Sequence, residues 1–550
     1  MYRNMMKLFI LSFVLLSLTS CGVKKPATSK MEVVDEFVEK EDRVLEDVLY
    51  LLDKPHRRVN NKQKYFGHEY RKISIRRSYK DSSKFRIYST NKKPKNMIGL
   101  GFSGGGIRAN AFHLGVLAGL HNIKIAKNSS MIDKIDYISS VSGGSWANGA
   151  YWINRVNDEL FFRCFDEIAT DFYGKGKLKC DRYKSALRYE QFQVITRGLW
   201  LEAIKKYSLM GDDLRFSELK DRKYRYLQTK PYPIFNVTHS AYLLENSTAE
   251  NFPFEITPDY FGTIVDCGSG RKYCNKFRTE TFKLLSDNLY GGFFVKQKGT
   301  GVRINRELYF ETKQNEIGDN LSKALHVSSA VIGKLLSMDF NIRYKNNDID
   351  TIRETYTLSD GGKSDNLGLL ALVERGVDLI IISQISADPE LEFEDLEISK
   401  KQVKKLLGRD VNIDKFIKKG KKISLLEKGD YSYNGKKEGK ILFIKPTIYN
   451  VKKFYNYLTN LKDRNGEYIY PLVVQALRED KIVKKEWMKS KYNEVKDFLS
   501  LPKKEQENLT QFPQTPTFQV KYPQHLIYAY YLLGKYIVKN HLKNELLRIK

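Results

Sequence analysis

Short apolar runs that end in glycine- and serine-rich turns recur along this 550-residue chain. Met97–Phe102 is one run; Ser103-Gly-Gly-Gly106 follows it, and apolar positions then recur at helical spacing through Gly119. Tyr137–Val141 is another; Ser142-Gly-Gly144 follows, and a second helical pattern begins. Both read as strand, tight turn, helix, about forty residues apart, the length of one βαβ unit. Further strands are predicted over Pro233–Thr238, Phe252–Thr257, Tyr356–Leu358, Val377–Gln384 and Ile441–Pro446. Residues 150–230, Leu367–Arg375 and Leu526–Lys539 read as helical, and Ala324–Leu336 as a small-residue turn opening a helix. From Asp388 to Lys440 the chain is charged and Lys-rich, which suggests an insertion or a solvated helical pair. Strand–helix alternation of this kind predicts an α/β fold: a mainly parallel sheet, helices on both faces, and helical additions.

The N-terminus has its own pattern. Two basic residues precede the apolar run Leu8–Leu18, 11 residues long. That is too short to span a bilayer and suits the core of a signal peptide. Leu18-Thr-Ser-Cys21-Gly22 resembles a bacterial lipobox. The resemblance implies a signal peptide over residues 1–20 and a lipid on Cys21. The implied location is the bacterial envelope, on the outer membrane or the outer face of the cytoplasmic membrane. An ordinary secretory signal with an incidental cysteine is the competing reading. Residues 21–95 would then form a lipid-anchored tether and a helical segment, with Val33–Leu52 amphipathic.

Composition narrows the class. With 41% apolar and 13% aromatic residues the chain is globular. The formal net charge of +29 favours an anionic partner. The basic residues are scattered and form no aromatic–basic RNA-binding motif, so a membrane surface is expected and nucleic acid is not. Four cysteines remain after Cys21, namely Cys164, Cys180, Cys267 and Cys274. In an exported protein they suggest two disulfides; proximity favours Cys164–Cys180 and Cys267–Cys274, with three connectivities possible. There is no CxxC and the histidines are scattered, so neither a metal nor a cofactor is expected.

The turns carry the chemistry. A serine hydroxyl becomes a useful nucleophile when held on a strained strand-to-helix turn between tiny neighbours. Ser142 has Ser140 and Gly144 two positions to either side. Ester hydrolysis passes through an oxyanion, which needs rigid N–H donors. Gly104, Gly105 and Gly106 allow a backbone to come that close, and Arg108 can brace the loop or hold a phosphate. Gly99–Gly104 is formally a dinucleotide fingerprint, G-x-G-x-x-G. That reading needs an acid at the end of the next strand, where this chain has the serine turn. Asp360, before Gly361-Gly362 at a strand end, can take the serine proton. His525 and His541 follow it in triad order, but neither sits in a strand-end turn.

Ser103-Gly-Gly-Gly-Ile-Arg108, Ser140-Val-Ser142-Gly-Gly and Asp360-Gly-Gly together resemble the patatin-like and cytosolic-phospholipase-A2-like acyl hydrolases. Ala324–Ala330 is similar to the family's small-residue segment before the aspartate, and Ser140 stands where the family usually has glycine. The resemblance implies a three-layer patatin-like fold, with a catalytic core over 96–390 and a charged insertion plus completing strand and helix over 391–550. It implies a Ser–Asp dyad without histidine: Ser142 as nucleophile, Asp360 as base, Gly104–Gly106 as oxyanion hole and Arg108 as support. The implied substrate is membrane phospholipid. A patatin-fold lipoprotein that binds lipid without turning it over is the alternative.

Overall fold

The structure is a computed structural model. Its described residues lie between Asn96 and Arg548. Residues 1–95, 171–179, 188–199, 217–226, 264–292, 414–424, 463–511 and shorter gaps lie outside the description. The signal peptide, Cys21, the tether, the Val33–Leu52 helix, Cys267 and Cys274 therefore lie outside it.

Strand β1 (Ile98–Phe102) leads into helix α1 (Gly106–Asn122), and β2 (Tyr137–Val141) into α2 (Gly143–Ile153). Helix α3 (Asp158–Thr170) follows, then β3 (Tyr232–Ala241) and β4 (Glu250–Ile256). Helix α4 (Leu321–Ser328) precedes the hairpin β5 (Met338–Asn346) and β6 (Ile349–Asp360). After β6 come the single turn α5 (Gly362–Asp365), α6 (Leu369–Glu374) and β7 (Leu379–Ser383). Helix α7 (Glu394–Leu407) leads to β8 (Arg409–Asn412), β9 (Leu426–Tyr433) and β10 (Lys436–Ile444). Helix α8 (Gln524–Ile537) lies near the C-terminus.

These strands form one sheet in the order β8-β9-β10-β7-β1-β2-β3-β6-β5, with β4 also pairing β3. The central run β10-β7-β1-β2-β3 is parallel. Both wings are antiparallel. The mainly parallel sheet expected from the sequence is thus its centre.

Burial on two faces explains why the central strands read as unbroken apolar runs. Along β7, Leu379 and Ile381 join one core while Ile380 and Ile382 join the other. β10 alternates likewise, with Leu442 and Ile444 on one side and Ile441 and Phe443 on the opposite side. The first core takes residues of α1, α2, α3 and α8; the second takes residues of α6 and α7. This is the three-layer arrangement.

Three expectations change. Asp388–Lys440 is no solvated helical pair: its described residues supply α7 and the strands β8, β9 and the start of β10. Of its described lysines, Lys401, Lys404 and Lys405 are exposed on α7, and Lys428, Lys436 and Lys437 are exposed on β9 and β10, where charge discourages further strand pairing. The start of Ala324–Leu336 is helix and not turn, because α4 runs to Ser328 and the turn is at Ser329; residues 331–336 lie outside the description. The Tyr356–Leu358 strand is the end of a twelve-residue strand. Cys164 and Cys180 are disulfide-bonded, as proximity suggested.

Candidate active site

Ser142 sits between β2 and α2 with φ 51° and ψ −125°, a left-handed conformation unusual for a side chain other than glycine. The strand ends at Val141, one residue before it, and Ser142 is half-buried. Gly143 has to be glycine: a Cβ there would lie 1.9 Å from the Gly106 carbonyl oxygen. That contact also puts the N-terminus of α2 against the N-terminus of α1. Both helices direct their positive ends to the same place, which favours a developing negative charge.

The glycine loop lies against the serine. A Cβ on Gly104 would stand 3.2 Å from the Ser142 Cβ. Gly105 (φ 141°) and Gly106 (φ 63°) take backbone shapes that glycine tolerates, turning their amides at the head of α1. The three glycines do not share one role. The Gly104 N–H is already engaged, donating to the Asn366 carbonyl oxygen at 3.2 Å and to Asn366 Oδ1 at 3.1 Å. Of the three amides expected at an oxyanion hole, Gly104's is thus taken by Asn366, which leaves those of Gly105 and Gly106. Gly104 instead anchors the loop.

Arg108 is fully buried on the first turn of α1. A Cβ on Gly105 would come within 3.1 Å of its Nη2, so the guanidinium packs beneath the loop. Of the two roles expected for Arg108, bracing fits this position, while a lipid phosphate would have no access to it.

Asp360 ends β6 and is 4% exposed. Its Oδ1 accepts the Gly362 N–H at 2.7 Å. Its Oδ2 is buried and takes no well-formed hydrogen bond among the described residues. Burial pushes the carboxyl up to about 6; the Gly362 amide, the Ser142 hydroxyl and Lys363 pull the other way. Ser142 and Asp360 are therefore neighbours, and of the described residues no histidine is among the groups acting on Asp360. His113 is enclosed between β1 and α1, stacked on Phe102 with its Nε2 2.9 Å from the Ser383 carbonyl. Burial lowers it to about 3, so it is neutral and plays a packing role.

Ser328, at the end of α4, joins the Ser142 elbow to the Asp360 turn. Its carbonyl accepts the Ser142 N–H at 3.0 Å and the Gly361 N–H at 3.4 Å. Its hydroxyl also takes the Ser142 N–H at 3.1 Å and donates to the Asn236 carbonyl at 2.8 Å. Ser140, the residue in place of glycine, is a node in the same buried network. It donates to the Ile234 carbonyl at 3.1 Å and accepts from Asn148 Nδ2 at 2.9 Å. Sequence reasoning did not single out Ser328 or Asn366 for a role. The serine pair in Ala324–Ala330 was the available signal for the first, and the short distance from Asp360 for the second.

The turn after Asp360 is held from the Lys-rich stretch. Asn366 Nδ2 donates to Asp395 on α7 at 2.9 Å, and Gln384 donates to the same carboxylate at 3.1 Å. Buried Asp365 accepts the Leu370 N–H at 2.8 Å and a hydrogen bond from Ser399 of α7.

The family model described as patatin-like phospholipase matches residues 100–373, which span Gly104, Ser142 and Asp360. Through them the chain belongs to the patatin-like phospholipase family. It is 26% identical over 352 residues to phospholipase B of Cryptococcus neoformans var. grubii, covering 53% of this chain and 52% of that protein. The chain thus spans about half the length of the curated relative it matches. Human GIVD cytosolic phospholipase A2 is similar at 13% identity and TM-score 0.49, over 82% of this chain and 60% of that one. The same human enzyme in complex with methyl gamma-linolenyl fluorophosphonate gives 14%, 0.43, 82% and 58%.

Proposed function

We propose that this patatin-like protein is a lipid acyl hydrolase of the phospholipase A or lysophospholipase type, working through an acyl-enzyme on Ser142. The observation that carries the reading is a strained Ser142 whose hydroxyl acts on the buried Asp360 carboxyl, of which Oδ2 takes no hydrogen bond among the described residues. Oδ1 is held by Gly362, which leaves Oδ2 for the serine proton. Ser142 Oγ attacks the ester carbonyl as Asp360 takes its proton, and the carbonyl oxygen becomes the oxyanion. The Gly105 and Gly106 amides and the two helix N-termini stabilise that charge. Collapse expels the alcohol, which recovers the proton from Asp360. Water then repeats the cycle on the acyl-enzyme, restoring Ser142 and releasing fatty acid.

Lipid attachment at Cys21, after removal of residues 1–20, would hold the chain on a bacterial membrane surface. The net charge of +29 would add attraction to anionic phospholipid. Fatty-acid release from phospholipid vesicles tests the reading. Wild type is expected to be active and Ser142→Ala inactive; equal rates for the two would reject it.

A further inference from the structure

We infer that Asn366 is a positioning residue that clasps the oxyanion loop to the aspartate turn, and that Asp395 on α7 sets its orientation. The inference rests on the hydrolase reading above. Asn366 meets the loop twice, since both its carbonyl oxygen and its Oδ1 accept the Gly104 N–H. The same Oδ1 lies next to the aspartate turn. A Cβ built on Gly362 would meet it at 2.9 Å and Asp360 Oδ1 at 3.0 Å. A Cβ built on Gly104 would meet Asn366 Oδ1 at 2.3 Å and the Ser142 Cβ at 3.2 Å. One amide oxygen thus stands where nucleophile, oxyanion loop and base converge.

A side-chain amide offers an oxygen on one side and an NH2 on the other, so its direction matters. Asp395 fixes it. Its carboxylate can only accept, and it takes the Asn366 Nδ2 at 2.9 Å, which turns Oδ1 toward Gly104. Asp395 is itself held by Gln384 Nε2 at 3.1 Å and by Ser386 Oγ. Ser386 and Gln384 follow β7, beside the Ile385 N–H that donates to Ser103 Oγ at 2.9 Å. The loop is therefore gripped at Ser103 and Gly104 from two segments that meet at Asp395. With Gly104 so engaged, the next two amides are left for the reacting oxygen. A loop displaced by even 1 Å forfeits much of the rate enhancement that fixed donors supply. No group in this relay touches substrate; it acts through Gly104.

The test uses the full chain and two readouts. The first is ester hydrolysis with separate kcat and KM. Asn366→Ala is expected to lower kcat by about 10- to 100-fold with KM changed less than about twofold, because only the charged transition state feels the loop. Asn366→Asp sets two carboxylates face to face and is expected to lose at least as much. Combining it with Asp395→Asn restores one donor and one acceptor, so the reversed pair recovers at least about tenfold over Asn366→Asp alone. The second readout is amide hydrogen exchange of the peptide containing Gly104. It should speed up in Asn366→Ala and return toward wild type in the reversed pair, whether or not esters are hydrolysed. A wild type inactive on every ester refutes the proposed function, and exchange then decides the clasp. Active wild type beside an equally active Asn366→Ala, or exchange at Gly104 unchanged, overturns the clasp alone. If Asn366→Ala does not fold, the reversed pair decides: no recovery over Asn366→Asp overturns the inference.

Discussion

Replacing Asp360, the proposed base, should both abolish activity and stabilise the protein, with the stability gain appearing above the pH where its carboxyl ionises. Burial raises the Asp360 carboxyl from 3.8 to about 6. The unfolded chain releases that proton above its ordinary value, whereas the folded chain holds it until pH 6. Stability therefore falls as pH rises between those two values and stays lowered above them. Two units at 1.36 kcal/mol each put the penalty at about 3 kcal/mol at pH 8, and under about 1 kcal/mol at pH 4. Asp360→Asn carries no ionisable group and keeps an oxygen for the Gly362 N–H. It is expected to exceed wild type in urea resistance by a margin about 2 kcal/mol larger at pH 8 than at pH 4. Its kcat at pH 8 should fall by about 10²- to 10⁴-fold. Urea titrations of both proteins at both pH values measure the first effect. An equal margin at the two pH values would refute the claim that the carboxyl is ionised at a cost in the folded site.

Other substitutions probe the neighbouring parts. The acid limb of kcat/KM for ester hydrolysis should rise through about pH 6 and level above it, since Asp360 must be ionised to act as base; a limb near pH 4 would contradict its burial. Gly143→Ala forces a Cβ to 1.9 Å from the Gly106 oxygen, so it should cost about 3 kcal/mol or more in thermal unfolding and abolish hydrolysis. Ser328→Ala removes a hydroxyl that bonds the Ser142 N–H and the Asn236 carbonyl. It should lower kcat about tenfold and stability by about 1–3 kcal/mol, read by kinetics and calorimetry.

The parts legible in the sequence are those built from neighbours along the chain. The Ser142 elbow, the Gly104–Gly106 loop and the Asp360 turn each need small residues within a few positions, and those stand in the sequence. The central strands were legible because β7 and β10 are apolar on both faces. What the sequence hid depends on residues far apart. Gly104, Gly105 and Gly106 look equivalent until Asn366, 262 residues away, takes the first amide. Ser328 appears as one serine among several until it meets Ser142, 186 positions earlier. The Asp388–Lys440 stretch looked like a solvated helical pair because one side of α7 and the edge strands face water. Its inward residues, Leu396, Ser399 and Val403, are too few to set a strong pattern. Ser140 looked like a departure from the family, yet its hydroxyl is satisfied inside the network under the elbow.

The central claim is that Ser142 is a nucleophile activated by Asp360. Mass spectrometry of the full chain after reaction with a fluorophosphonate tests it most directly. The account predicts one adduct per chain, mapped to Ser142, formed at least about 100-fold more slowly in Asp360→Asn. Labelling at another serine, or labelling of Ser142 at the wild-type rate without Asp360, would contradict it.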